Sequence, residues 1–157
     1  MSNGVTRCEG WVRPAVIKDL SDMLPMREAD AIEIEVTGRD PIRALYESFE
    51  VSKPHVFTII VDGKPCGIFG AAQGHAACCG IPWMLGNDQL RRIPRDLIVQ
   101  GRMWIEYLNR IFPHLENAVH SDNRVSIRWL TAMGFEVHPQ PIILPNGHSF
   151  RRFTRDV

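Results

Sequence analysis

Two short segments hold the side chains with the most chemistry to offer. His120, Ser121, Asp122 and Asn123 stand together at the end of an apolar run. A histidine beside a carboxylate can take up and pass on a proton, because imidazole changes charge near neutral pH. The competing role is structural, since Asp122 or Asn123 is also the residue type that caps a following helix. The second segment runs from Leu85 through Gly86, Asn87 and Asp88 to Arg91, Arg92 and Arg95. A glycine and three arginines before a helix offer either a dispersed phosphate contact or a solvated charged face.

His75, Cys78 and Cys79, with Cys66 and His55 not far away, have the ligand types that zinc prefers. A structural zinc site takes two separated ligand pairs, however, and QGHAACCG is a small-residue segment suited to a turn or strand edge. Packing is the better reading, and no metal is assigned. Cys8 and the other three cysteines lack a CxxC spacing, and the vicinal pair is poor material for a structural disulfide, so reduced thiols are expected. Arg151, Arg152 and Arg155 form a second basic cluster that reads as surface.

These residues must be positioned by one domain, because 157 residues with 45% hydrophobic and 23% charged side chains fit a single ordered core. An N-terminal extension over 1–10 and a domain over 11–157 are expected. Eighteen basic residues balance eighteen acidic ones, which gives no overall field for nucleic acid or an anionic membrane. No apolar run approaches the roughly 18 to 20 residues that span a bilayer. The start lacks a basic segment followed by an apolar stretch, so no signal peptide is read and synthesis and folding in a cytoplasm are expected.

The periodicities predict a strand over Trp11–Ile17 and a helix from Lys18-Asp19 onward, with Asp19 or Ser21 as its cap. Ala29–Val36 is helix-compatible. Asp40-Pro41 opens a helix to Val51 with Ile42, Leu45, Tyr46 and Phe49 on one face. Asp62-Gly63 is a hairpin signal between His55–Val61 and Pro65–Ala72, and Gly80–Leu85 makes a third strand of a meander. After a short turn capped by Asn87 or Asp88, Arg95–Phe112 is the longest helix, with Met103 or Trp104 in its inward stripe. Leu115–His120 is a strand, Arg124–Met133 a helix, Phe135–His138 a strand start, and Ile142–Leu144 with Ser149–Thr154 a hairpin around Pro145-Asn146-Gly147. Such an order packs as an α/β (α+β) domain, a mostly antiparallel twisted sheet with helices on both faces.

That order, with DNRVSIRWLTAMGF at Asp122–Phe135, resembles the GCN5-related N-acetyltransferase (GNAT) fold. Trp83-Met84-Leu85-Gly86, Asp88-Gln89-Leu90, Phe112-Pro113, Asn123 with Ser126–Leu130, Gly134-Phe135, Gly147 and Phe150 further resemble GNAT-like proteins of tailed bacteriophages, including the podophage internal virion protein A group. The likeness implies a phage or prophage origin, a place in the virion or the host cytoplasm, and other virion proteins or a host protein as partners. It also implies acetyl-CoA as the cofactor an active member would use.

An active member lays the pyrophosphate on a glycine-rich turn at the start of the central helix. Leu85, Gly86, Asn87, Arg91, Arg92 and Asn123 are the candidate cofactor residues on this likeness. Only Gly86 matches the glycine pattern, and Asp88 adds a negative charge. The tyrosine that usually protonates the departing thiolate falls at Leu130, preceded by Trp129, and neither is an acid. His120 and Asp122 are the candidate catalytic residues, as base for an amine. These departures favour a phage GNAT-fold protein that acts through protein contacts without conventional acetyl transfer. The alternative is an acetyl-CoA-dependent N-acetyltransferase of a protein or small amine.

Overall fold

The computed structural model describes residues 10–157. Cys8 and, Gly10 apart, the expected extension lie outside the described residues. The chain runs β1 (Gly10–Pro14), α1 (Ile17–Met23), α2 (Glu28–Glu35), α3 (Pro41–Ser52), β2 (Val56–Val61), β3 (Lys64–Gln73) and β4 (Cys79–Gly86). A 3-10 turn (Asp88–Arg92) then leads to α4 (Pro94–Ile111), β5 (His114–His120), α5 (Arg124–Ala132), β6 (Glu136–Ile143) and β7 (Ser149–Asp156). The strands form one sheet in the order β1-β2-β3-β4-β5-β7-β6. β4 and β5 pair in parallel, and every other neighbouring pair is antiparallel.

Alternation along the strands sorts the core onto two faces. Val56, Ile68, Trp83 and Leu85 meet Leu20 and Met23 of α1 and Leu45 and Phe49 of α3. Ile59, Val61, Met84, Leu115, Val119 and Phe153 meet Leu97, Ile105 and Leu108 of α4 and Trp129 and Met133 of α5. Helices thus cover both faces of a mixed sheet, as the element order predicts. No helix among the described residues is long and apolar enough to cross a membrane.

Local chemistry explains where the boundaries differ from the sequence reading. The first strand ends at Pro14 and Ile17 opens a helix, because the Asp19 carboxylate accepts the Val16 N–H at 2.9 Å and both Arg13 nitrogens at 2.6 and 2.7 Å. Asp19 therefore holds the helix start from inside the first turn, three residues after the cap position, which Val16 occupies. Asp40 does cap α3, accepting from Arg43 N at 2.9 Å. In α3, Leu45 and Phe49 are buried whereas Ile42 is exposed, and in α4 the inward residue is Trp104, with Met103 exposed. The two short strands expected after Phe135 are one, β6, kinked by a register shift between Val137 and Pro141 where prolines remove ladder donors. Gly134, at φ 100°, ends α5 in the left-handed conformation glycine favours, and Phe135 N returns to Leu130 O at 3.0 Å.

Candidate active site in the splayed parallel pair

β4 and β5 pair over two rungs only, Cys79 with His114 and Gly80 with Leu115, and then diverge toward their carboxyl ends. The closed end is held by Phe112, whose ring lies so near Gly80 that an added Cβ would sit 2.6 Å from it. Beyond it the ladder fails for covalent reasons. Asn87 N–H donates to Cys66 O and Gly74 N–H to Cys79 O. These bonds fix the alternation so that odd-numbered residues of β4 face β3 and even-numbered ones face β5. Of the even residues, Pro82 has no N–H, and its carbonyl accepts from Asn117 Nδ2 at 2.8 Å. Gly86 is bonded to α2 on both sides: its N–H donates to Asp30 at 3.0 Å and its carbonyl accepts from Arg27 N at 2.7 Å. Met84 is left with its N–H and C=O aimed into the gap between the strands.

The gap opens into a cleft of about 450 Å³ lined by β4, β5, α2, α3 and α5. Its polar wall is α2. Arg27, Asp30 and Glu33 recur at intervals of three and share one face of that helix. The Arg27 guanidinium donates to Asp30 at 2.9 and 3.3 Å and to Ser126 Oγ at 3.3 Å, and lies 4.7 Å over the Trp129 ring. One arginine thereby ties the end of β4 to α5 across the gap. Glu33 Oε1 accepts the His120 N–H at 2.7 Å and Asn123 Nδ2 at 3.2 Å. Burial raises the Glu33 carboxyl above the usual carboxylate range, outweighing the opposing effect of those two bonds. A carboxylate held in a cleft with its proton affinity raised is a candidate base.

The sequence reading named other residues, and their places are specific. His120 ends β5 and is buried; Nδ1 accepts the Asp122 N–H at 3.0 Å, which leaves Nε2 to donate to His148 Nδ1, also at 3.0 Å. Its imidazole packs by Phe150 and His148, and neither His120 nor Asp122 lines the cleft. His120 reaches the site through its backbone N–H on Glu33. Asn123 caps α5, accepting from Ser126 N at 3.3 Å, while its amide also holds Glu33. Glu33 was missed because Ala29–Val36 alternates apolar and acidic side chains, and only the threefold spacing from Arg27 hinted at an inward polar face.

At the other candidate segment, Leu85 lines the cleft and packs against the α1 and α3 core. Gly86 is glycine for close packing: an added Cβ would stand 2.3 Å from Leu90 and 2.9 Å from Cys66 O. Asn87 donates its N–H to Cys66 O, donates its side-chain amide to Met23 O, and accepts from Gln89 N. The first amides of this turn are thus spent inside the protein and form no cradle for a pyrophosphate. Asp88 lies 3.9 Å from Arg91, and Arg92 pairs with Asp62 at 2.6 Å. Arg91 and Arg95, exposed beside the proline-opened start of α4, are the groups that would hold phosphates at this end. Leu130 lines the cleft as an apolar wall.

His75, Cys78 and Cys79 lie at and after the β3–β4 turn, with Cys78 exposed and the two vicinal sulfurs 3.7 Å apart. Cys66 is buried apart from them, its thiol pushed up to about 12 by burial. Among the described residues no three of His, Cys, Asp or Glu form a metal-holding group.

Comparison with family models and with curated proteins finds no match. Solved structures do match. An N-acetyltransferase from Staphylococcus aureus Mu50 superposes with a TM-score of 0.69 at 16% identity, covering 94% of this chain and 98% of that one. A ribosomal-protein-alanine N-acetyltransferase from Brucella melitensis gives 0.68 at 14%, covering 94% and 99%. A Bacillus subtilis acetyltransferase in complex with CoA gives 0.62 at 9%, covering 95% and 98%. Identities this low establish architecture, and the chain has the GNAT fold as a single α/β domain with a seven-stranded mixed sheet.

Proposed function

We propose that the protein is an acetyl-CoA-dependent N-acetyltransferase whose reaction site is the splay between β4 and β5. The observation that carries this reading is the open N–H of Met84 in the cleft that also holds Glu33. An acyl thioester bound there supplies an activated carbonyl. The Met84 N–H is placed to donate to an oxygen that gains negative charge, an interaction worth about 3 to 4 kcal/mol in other acyl-transfer sites. Glu33 takes the proton from an acceptor amine, and its raised proton affinity makes it a stronger base than an ordinary carboxylate. His120 and Asn123 act as positioning residues that fix Oε1. Asp30 is paired with Arg27 and Glu47 with Arg39 and Arg43, which leaves Glu33 as the carboxylate of the cleft that can face an acceptor amine, such as an amino terminus or a small amine. Leu130 offers no proton, so no internal acid for the leaving sulfur is assigned.

A second reading has its own support. The engaged amides of Gly86 and Asn87 fit a GNAT-fold protein of a phage that works through contacts with virion or host proteins, without transfer chemistry. Calorimetry with acetyl-CoA, followed by release of free CoA thiol in the presence of amines, separates the two. Micromolar binding and amine-dependent thiol release support the enzyme. No binding at millimolar ligand would end that reading and leave the contact role.

A further inference from the structure

The helix that carries Glu33 is not seated by burial. α2 contributes no side chain to either apolar core; Asp30 is its one buried residue, and Ile32 is exposed. Packing of an apolar face is what ordinarily fixes a helix on a domain, so α2 takes its position from polar bonds instead. At its front those bonds join Arg27 and Asp30 to Gly86. At its rear they come from the end of β5 and from the β6–β7 turn, 144–148.

Asn146 Nδ2 donates to Val36 O at 2.8 Å, at the C-cap of α2, where a carbonyl has no partner within the helix. Two residues on, His148 Nδ1 accepts from His120 Nε2 at 3.0 Å. The direction of that bond is set, since His120 Nδ1 already takes the Asp122 N–H. Beside it Ser121 N–H donates to Ser149 O at 2.8 Å, and the two serine hydroxyls meet at 2.7 Å. The turn is closed on itself by Leu144 N–H on His148 O and by Asn146 Oδ1, which accepts from His148 N. One closed turn therefore grips α2 just beyond Glu33 and grips β5 at the residue whose N–H holds Glu33.

We infer that Asn146 and His148 are positioning residues for Glu33: the β6–β7 turn braces α2 against β5 at the separation where His120 N–H and Asn123 can hold its carboxylate. Neither residue lines the cleft, so they act only through Glu33. The part of the inference that makes Glu33 a base rests on the acyltransferase reading above. Arg27 and Asp30 are the charged groups that act on Glu33, and His120 N–H and Asn123 are the neutral donors.

The test reads Glu33 directly, by carbon-13 titration of its carboxyl in the intact protein, with Glu33→Gln identifying the resonance. Burial is the main cause of its raised proton affinity. Asn146→Ala, at an exposed position, and His148→Phe, which keeps a ring and loses the acceptor, both cut the brace. In each the Glu33 carboxyl should gain water and titrate lower, toward the ordinary carboxylate range. His148→Asn, which puts an amide oxygen near the place of Nδ1, should restore the wild-type titration. In amine-dependent release of CoA thiol the first two variants should lose about 10- to 100-fold in kcat, the cost of a misplaced group, with acyl-CoA affinity unchanged. Should His148→Phe fail to fold, Asn146→Ala decides alone. A Glu33 titration that stays at the wild-type value in these variants would overturn the brace, whether or not the protein transfers acyl groups. The expected shifts without any amine-dependent thiol release in wild type would uphold the brace and end the acyltransferase reading.

Discussion

The two ends of the β4–β5 pair solve the same problem in opposite ways. At the closed end the strands share rungs, Phe112 seals Gly80, and the charged groups are open to solvent: His114 lies between Asp156 and Glu116 at 2.5 and 2.9 Å. At the open end the rungs stop, and polar groups from the start of α2 and from β5 replace them. Asp30 takes the Gly86 N–H, Arg27 the Gly86 carbonyl, and Asn117 the Pro82 carbonyl. The lesson is that the sheet is not merely interrupted there. On β4 the Gly86 N–H and carbonyl and the Pro82 carbonyl are matched by the start of α2 and by Asn117, and the proposed reaction site lies at Met84 between them.

The largest effect should come from Glu33. Glu33→Gln keeps the shape and the bond from Asn123 while removing the base, so transfer to an amine should fall roughly 10² to 10⁴-fold with acyl-CoA affinity retained. The wild-type rate should rise with pH through the raised pKa of Glu33, above the ordinary carboxylate range, and the variant should lose that limb. The same shift has a stability sign. A raised carboxyl contributes stability below its unfolded pKa and loses it as pH rises through the folded value, so the variant should lose less stability than wild type over that window. A Glu33→Gln enzyme with unchanged rate would remove the base from the open end.

Asp30→Ala should follow, costing about 3 to 5 kcal/mol in urea unfolding, because Arg27 is left buried and uncompensated and the Gly86 N–H loses its partner. A loss below about 1 kcal/mol would mean that solvent enters this end and the polar lock is weak. Asn117→Ala removes the side-chain substitute for a rung and should cost about 1 kcal/mol. Its sharper readout is acyl-CoA affinity, which should change if that bond sets the width of the gap.

The smallest effect belongs to the closed end. Hydrogen bonds to Asp156 and then Glu116 raise the His114 pKa. Its contribution is therefore full below the unfolded value of about 6.5 and is lost as pH rises through the folded value. Asp156→Asn should lower the Tm at pH 6 by a degree or two, on the scale of roughly half a kcal/mol for an exposed pair, and should not at pH 9. A Tm difference that is the same at both pH values would assign the effect to packing.

Patterning alone placed the meander strands, the long helix and the hairpin at Asp62-Gly63, because alternation, β-branching, proline and glycine act within a few residues, whereas it ran the first strand past Pro14 and split β6 in two. It also offered Asp122 or Asn123 as the cap of α5, of which the structure selects Asn123, and showed that Leu130 is no acid, since residue type and local spacing reach that far. Glu33 and the Arg27–Asp30 lock were beyond it. Their roles come from partners 56 to 99 residues away, at Gly86, His120, Asn123 and Ser126. A carboxylate's proton affinity depends on how far it is removed from water, and a backbone N–H is free only if no distant group claims it. Both are decided by how the helices close over the splayed strands, which only the tertiary structure fixes.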